Sequence, residues 1–438
     1  MHLIPQQERR RACTVYFFNS FSVAAQALIG AFFLITLLHS HSSFAAGFYL
    51  QELGTPSSIG TAGTARTTNH YGAETAWGNP AGMTGLTKDT LLIGGQVLVP
   101  NIRFDSDIAQ AGGSDGGNAG DVVVIPSVFA VKSISDKARL GFSIVAPLGG
   151  GVDYGSDFVG RYSAQEAALS GLAVSPSFGY QVNDDLSIGA GVSFIYTLFE
   201  MDIAVNQPGA LPDGKVKIED VDDWGHQFFL GMQYQLNDKT RLGLVYRSEA
   251  EIDLSGDFKI KDTILPITPS GRVKAGWDNP QLIEVGLSFE VDDNMTIFLQ
   301  ADWEDWSVFS KNTFQVSGGG GLGLTTVANL DRDFKDTYRL GVGMAYKAGE
   351  KKYLLGTSYD SSPVSDSNRT FDLPLDEQFR IAGAIIHESE QGLDYALSAS
   401  FVYFGEGKVD QTSQGVRVKG EFDKNWGIFL GTTLKYEF

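Results

Sequence analysis

Three cations stand where a chain of alternating polarity gathers side chains onto one face. Arg247 shares its parity with Gly243 and Val245, opposite Leu242, Leu244 and Tyr246. Lys335 and Arg339 share theirs with Gly341 and Gly343, opposite Leu340, Val342 and Met344. Successive side chains of an extended segment point to opposite faces, so each cation is predicted to leave the apolar face. A guanidinium or ammonium there can hold a carboxylate, either a ligand's or that of a neighbouring acidic side chain. Acids are plentiful, with 52 Asp and Glu against 33 Lys and Arg. Other chemistry is poorly served. The one cysteine is Cys13, and past residue 46 the histidines are His70, His226 and His387. No Ser, His and acid form the grouping that nucleophilic catalysis requires. No catalytic residue, metal-ligand set or cofactor is expected, and a net charge of −19 argues against nucleic acid as a partner.

The elements that carry these cations follow a rhythm. From about Leu91, segments of alternating polarity end by turns in a tight polar turn and a long connection. The tight turns are Ser135-Asp136-Lys137, Asn183-Asp184-Asp185, Asn237-Asp238-Lys239, Asp292-Asp293-Asn294, Gly349-Glu350-Lys351 and Glu388-Ser389-Glu390. Asn, Asp and Gly suit them because they accept or locally cap left-handed backbone. The long connections lie near 105–120, 148–166, 201–221, 254–279, 310–332, 361–375 and 405–423. Six short turns and seven long loops imply fourteen strands. An even strand number with loops sorted by length is the pattern of a transmembrane β-barrel, and a soluble sandwich has no reason to sort them. Around 224–236, Trp224, Phe228, Leu230, Met232, Tyr234 and Leu236 are expected to face lipid, and Gly225, Gln227, Gly231, Gln233 and Gln235 the lumen. A mean hydropathy of −0.06 is too polar for a helical membrane protein. Ile428, Leu430, Leu434, Tyr436 and the final Phe438 share one parity, as in barrels inserted by the outer-membrane assembly machinery.

The first 45 residues read as a secretory signal. Arg9, Arg10 and Arg11 precede an apolar run from Val23 to Leu38, and Ser43-Phe44-Ala45 places small residues at a cleavage site. Residues 46–87 fit neither signal nor rhythm. They are rich in Gly, Ala and Thr, yet Phe48, Tyr49, Leu50, Leu53, Trp77 and Met83 are apolar enough to pack. A fourteen-strand barrel would otherwise be an open aqueous pore, so this segment is expected to plug it. The division is therefore signal 1–45, N-terminal hatch 46–87 and barrel 88–438.

Residues Ala46-Gly47-Phe48-Tyr49-Leu50-Gln51-Glu52 and Asn79-Pro80-Ala81-Gly82-Met83 resemble the hatch of the FadL/TodX family of outer-membrane channels. Further matches follow in order: Gly160-Arg161-Tyr162, Tyr246-Arg247-Ser248-Glu249, Trp303 and Trp306 through Phe309, Phe334-Lys335-Asp336-Thr337-Tyr338-Arg339, Asp360-Ser361-Ser362-Pro363-Val364 with Asn368-Arg369, and Tyr436-Glu437-Phe438. The resemblance spans nearly all of the chain past the signal. It implies an all-β fold, a 14-stranded antiparallel transmembrane barrel closed by an N-terminal hatch, in the outer membrane of a Gram-negative bacterium. It implies passive uptake of long-chain fatty acids by outer-loop capture, a pocket beside the hatch and release through the wall, with the protein as a monomer among outer-membrane lipids and lipopolysaccharide. Aromatic or aliphatic hydrocarbons are the alternative cargo within the family.

Under that resemblance, Phe48, Leu50, Leu53, Ile59 and Trp77 either line an apolar pocket or anchor the hatch. Lys335 is the first choice for a fatty acid carboxylate, with Arg161 and Arg247 next and Arg339 beside them; the alternative is that these cations pair with lumenal acids. Asn79, Pro80 and Ala81 are expected to fix the hatch to the wall. Pro147, Gly149, Gly150 and Gly151 end the third strand, and with Pro126 and Pro176 they mark a weak seam, because proline removes a ladder donor and glycine favours kinks. Two readings from other classes remain: a general porin, which would lack a plug, and an outer-membrane lipase, for which the histidines are poorly placed.

Overall fold

The computed structural model describes residues 49–209, 211–264, 269–318, 324–389 and 392–438, with the side chains of 311 and 324–331 excepted. The expected signal (1–45) and Phe48 lie outside the described residues. The strands are β1 (Thr90–Ala109), β2 (Val123–Ser133), β3 (Ala138–Asp153), β4 (Glu166–Gln181), β5 (Leu186–Val205), β6 (Gly214–Asn237), β7 (Thr240–Arg247), β8 (Ala250–Lys261), β9 (Ser270–Asn279), β10 (Leu282–Glu290), β11 (Met295–Glu304), β12 (Lys311–Gly318), β13 (Leu324–Asp331), β14 (Thr337–Ala348), β15 (Lys351–Asp360), β16 (Gln378–His387), β17 (Leu393–Tyr403), β18 (Val409–Ser413) and β19 (Val416–Glu437).

Fourteen of them close a ring. Antiparallel ladders run in chain order from β1 to β7, then through β10, β11, β14, β15, β16, β17 and β19. The last strand returns to the first, from Thr90↔Glu437 to Ala109↔Val418. Closure removes the free edges that hydrocarbon cannot hydrogen-bond. Each expected tight turn falls between two consecutive wall strands, and each long connection between the next two. Three connections carry unexpected strands. β8 and β9 extend the outer part of β6, β12 and β13 continue from β9, and β18 pairs with the start of β19. The described parts of these long connections therefore extend the wall as strands rather than as irregular loops.

The wall alternates as its sequence requires. On β6, Trp224, Phe228 and Leu230 are 57%, 57% and 56% exposed, while Gln227 and Gln233 are buried. Against the buried face lies the N-terminal segment, residues 49–89, with short helices at Pro56–Ile59 and Thr75–Gly78 and a 3-10 helix at Pro80–Gly85. Its small residues are set at a period that meets the wall. Thr61 lies against Gly356 of β15, Thr64 against Gly341 and Gly343 of β14, and Thr67 against Gly243 of β7 and Gly286 of β10. Successive three-residue turns, with Thr64 N–H on Thr61 O at 3.1 Å, carry the threonines round the ring from β15 to β14 and then, past β11, to β10 and β7. A Cβ on any of these wall glycines would overlap the segment, so the threonine spacing and the wall glycines are one steric solution.

Gly243→Val therefore places its side chain on the Thr67 carbonyl. Overpacking of this kind costs about 1–3 kcal/mol, which the segment can relieve only by withdrawing. The barrel should still assemble, but ion conductance in planar bilayers should rise several-fold over the parent. Gly95→Val is the control, because a Cβ at Gly95 meets nothing within 4 Å. Equal conductance for Gly243→Val and the parent would refute the steric fit.

Candidate functional site

The N-terminal segment and the outer loops share one apolar interior. Tyr49, Leu50, Leu53 and Trp77 belong to the same buried cluster as Phe104, Tyr154, Phe158, Phe371 and Phe422 on one side and Trp277, Trp306, Phe309 and Phe334 on the other. The rings of the first group interlock. Tyr154 stacks on Phe158 with centroids 4.1 Å apart, and Phe371 meets Phe104 edge-on at 5.0 Å. A small cavity of about 40 Å³ remains where segment and loops meet, lined by Tyr49, Gln51, Trp306, Phe334, Leu375 and Arg380. It is too small for an alkyl chain, so a ligand must displace side chains to enter.

Charged groups fix the segment beneath this interior. Arg380 of β16 pairs with Glu52 at 3.2 Å and also with Asp360. Arg66 pairs with Glu284 of β10 and donates to Gln51 at 2.6 Å. Asn79 donates to the Thr67 carbonyl at 2.8 Å and to the Met232 carbonyl of β6 at 3.0 Å, while its own oxygen accepts from the Ala81 N–H at 3.2 Å. Pro80 begins the 3-10 helix, and its carbonyl sits over Gly179 of β4. The motif Asn79-Pro80-Ala81 thus joins two parts of the segment to the wall.

The four cations singled out in the sequence occupy separate environments, with no hydrogen bond or ion pair among them. Arg339 is buried and paired with Asp302 at 2.6 Å, and also donates to the Ala62 carbonyl at 3.4 Å. Arg161 lies on an outer loop, paired with Asp213 at 2.6 Å. Lys335 differs from the parity reading: the strand begins only at Thr337, so alternation does not extend to it, and its side chain is exposed. Arg247 faces inward as its parity requires and is 2% exposed. Its guanidinium lies 4.3 Å from the Trp77 ring centre and 4.6 Å from that of Phe229, and it donates to the Trp77 carbonyl. Among the described residues no carboxylate is within ion-pair distance of it. Its Nη1 and the nearby Tyr49 hydroxyl are both buried without a hydrogen-bond partner.

Of the apolar set, Leu50, Leu53 and Trp77 join the shared cluster. Ile59 does not; it presses on Gly431 of β19, in an anchoring contact. Residues that sequence reasoning missed include Glu52, Arg66, Glu284, Asp302, Arg332, Asp372 and Arg380. Lumenal parity with Gly286 marks Glu284, and parity with Gln300 marks Asp302, but a segment of successive turns offers no such signal for Glu52 or Arg66.

The wall is incomplete beside Tyr49 and Leu50. The β2–β3 ladder runs only from Val128↔Ile144 to Ser133↔Arg139, although β2 begins at Val123 and β3 continues to Asp153. Pro126 and Pro147 both lie in the unpaired stretch. Toward β4 the register slips between Val145 and Leu148, after which Gly149, Gly150 and Gly151 pair with Ser170, Leu169 and Ala168. These residues are therefore strand, not the start of a loop. Pro176 is elsewhere, opposite Phe142 in register. The exposed edge of β3 is covered from inside: Tyr49 bridges Leu148, and the Leu50 N–H donates to the Pro147 carbonyl at 2.8 Å. Asn118 to Gly120 bound the gap above, with Ala119 N–H on Ile102 O at 2.8 Å and Asp153 N–H on Ala119 O at 2.9 Å.

Comparison with known proteins bears on this arrangement. Residues 36–438 match the family model described as outer membrane protein transport protein (OMPP1/FadL/TodX). The chain is 22% identical to a long-chain fatty acid transport protein of Salmonella typhi, over 91% of this chain and 96% of that protein. It is 22% identical to the protein of the same name from Escherichia coli K12, over 92% and 96%. A FadL homologue from Pseudomonas aeruginosa superposes with a TM-score of 0.80 at 20% identity, covering 90% of this chain and all of that one. The toluene transporter TodX of Pseudomonas putida gives 0.71 at 19% identity, over 89% and 99%.

One ion pair latches the outer loops over the site. Arg332 is 1% exposed and meets Asp372 at 2.6 and 3.2 Å, Thr370 at 2.6 Å and Asn312 at 2.9 Å. Burial works against the Asp372 carboxylate, but Arg332 beside it holds its pKa below the usual carboxylate range. A depressed carboxylate contributes stability that is complete above its unfolded pKa, about 3.9, and is lost only as pH falls through the lower folded value. The latch should thus be unchanged from pH 7 to 5 and open only below that range. Arg332→Met strands a buried carboxylate, a loss of about 3–5 kcal/mol. Protease should then cleave the 361–377 connection on intact cells while the barrel stays folded. Unchanged resistance in Arg332→Met would exclude the latch.

Proposed function

The chain belongs to the outer membrane protein transport family OMPP1/FadL/TodX, and on that premise we propose that it is a passive channel for long-chain fatty acids, which leave through the wall between β2 and β3. The family consists of outer-membrane transport proteins, not enzymes, and the chain is an outer-membrane β-barrel. The observation that carries the route is continuity. Apolar side chains run unbroken from the outer-loop rings to Tyr49 and Leu50, and these two residues cover the unpaired edge of β3.

In this reading residues 46–87 act as a hatch. The outer-loop aromatics collect the substrate, with exposed Lys335 and partly exposed Arg161 drawing the carboxylate. The chain of the fatty acid then enters the cluster of Leu50, Leu53 and Trp77 by displacing side chains. Arg247, buried without an acid, offers the cation at that depth, whereas Arg339 is engaged by Asp302 and serves to seat the hatch. Displacing Tyr49 and Leu50 uncovers Pro147 and Gly149 to Gly151, and the substrate passes sideways into the bilayer. A carboxylate cargo suits the site because two of the cations, Arg247 and Lys335, have no acidic partner in ion-pair contact among the described residues. Hydrocarbon cargo, as in the toluene transporters of similar fold, has no use for them.

The test is uptake of labelled oleate and labelled toluene by cells lacking their own transporter. Oleate should enter, and Lys335→Ala should lower its initial rate about tenfold, the equivalent of one charge-assisted hydrogen bond of about 1.5 kcal/mol. Toluene uptake without oleate uptake would move the protein to hydrocarbons. A disulfide between Ser127→Cys and Val145→Cys, the next pair in the β2–β3 register, should abolish uptake until it is reduced. Unchanged uptake with that disulfide formed would exclude the lateral route.

A further inference from the structure

The barrel end that carries the short turns holds a cavity that the transport route does not use. It has a volume of about 110 Å³ and lies beneath His70, Tyr71 and Gly72. Ala65, Phe298 and Leu354, with Ile386 against them, form an apolar cluster separate from the main core, and they line this cavity with Leu92. A more polar space of about 600 Å³ adjoins it and shares His70, Tyr71, Lys352 and Lys435. In an outer-membrane barrel the short turns face the periplasm, so the cavity opens on the inner side of the N-terminal segment.

Two cations stand at its mouth without a carboxylate in contact. Arg241 donates to Gln235 at 3.0 Å and to Gln233 at 3.3 Å, both neutral. The Lys352 ammonium lies 4.7 Å from the Tyr71 ring centre. Among the described residues neither has a carboxylate within 4 Å. Two of the acids nearby are paired with cations, Glu388 with Lys347 at 2.7 Å and Asp394 with Lys435 at 2.9 Å, while Glu74 is hydrogen-bonded by the neutral Ser57 and Asn69 at 2.9 and 2.8 Å. Among the described residues Glu74 and Glu290 therefore remain without a cation in ion-pair contact, against Arg241, Lys352 and Lys239, which also lines the cavity. His70 adds no charge, because burial, together with the repulsion of Arg241 and Lys352, pushes its pKa down to about 3.

We propose that this cavity is a second binding site, for a short amphiphilic anion whose carboxylate meets Arg241 and Lys352 and whose alkyl or single-ring tail fills the apolar end. Half-buried cations without a carboxylate in contact favour an anion, and an apolar cavity of comparable size, about 150 Å³, accommodates benzene. A long fatty chain does not fit. The site lies across the N-terminal segment from the outer loops and stands independently of the transport reading.

The test uses the full barrel in detergent with Phe298→Trp as reporter and 6-bromohexanoate as probe, whose bromine quenches tryptophan on contact. Quenching of the added tryptophan, measured against the parent, should saturate. 6-Bromohexanol should bind at least tenfold more weakly. The double variant Arg241→Gln, Lys352→Gln should lose the acid's advantage, and Lys352→Arg should retain it. No saturable quenching in either Phe298→Trp or a second reporter, Leu354→Trp, would overturn the site. Equal binding of acid and alcohol would overturn it as well. Oleate uptake is read separately: quenching without uptake leaves this site and removes the transport reading, and uptake without quenching does the reverse.

Discussion

The structure depends on how closely backbone can approach backbone inside the ring. A fourteen-strand barrel encloses more space than its own inward side chains fill. Here the remainder is filled by a segment of turns and short helices, whose backbone groups must be satisfied without a sheet of its own. The solution is to remove side chains on both sides of the contact. Wall glycines on β1, β4, β5, β6, β7, β10, β14 and β15 accept main chain or small side chains of residues 54–81. Threonines at 61, 64 and 67 then bring hydroxyls within reach of the segment's own carbonyls and of Gln300 on β11 at 2.5 Å. Such a fit excludes larger side chains at any of these places, which gives the segment one seat.

Charge provides what steric fit does not, a penalty for coming out. Glu52, Arg66, Glu284, Asp302, Arg339 and Arg380 are each at most 8% exposed; two of their pairs link the segment to β10 and β16, and Arg339, paired with Asp302 within the wall, donates to the Ala62 carbonyl of the segment. A buried ion pair adds little net stability against an apolar substitute, but parting it is expensive because each ion is left in a medium of low dielectric. The network therefore specifies position more than it stabilises. Arg247 is the exception, a buried cation held by two aromatic faces and one carbonyl instead of an acid. Cation–π contact tolerates this because the rings supply negative charge without a formal anion.

How much of this was legible in the sequence follows from which interactions are local. Turn chemistry is local, so Asn183-Asp184-Asp185 and its equivalents located the wall strands, and alternation located their faces. β8, β9, β12 and β13 were not legible, since they pair mainly with one another and with the outer part of β6, and nothing in their own residues distinguishes them from loop. Lys335 was misplaced because parity was carried two residues past the start of β14. The latch of Arg332 on Asp372 spans 40 residues and two loops, and no periodicity connects such positions. The seam was legible in part. Proline at 126 and 147 is a local statement that a ladder donor is missing, but Pro176 makes the same statement and lies elsewhere. Only the register distinguishes them.

The gap between β2 and β3 is the point where filling the lumen and opening the wall become one problem. An unpaired strand edge within hydrocarbon costs several kcal/mol for each bare group. The edge at Pro147 and Leu148 avoids that cost because Tyr49 and Leu50 add backbone pairing from inside. The donors come from the start of the N-terminal segment, next to Gln51 and Glu52, whose partners Arg66 and Arg380 belong to the charge network. Whatever moves Tyr49 must therefore replace its contacts with the apolar cluster, and an apolar molecule of sufficient length can do so where water cannot. On the proposed lateral route, a seam that opens when an apolar substrate displaces Tyr49 and Leu50 needs no energy source. It needs an edge covered by a stretch of chain that belongs to the hydrophobic interior.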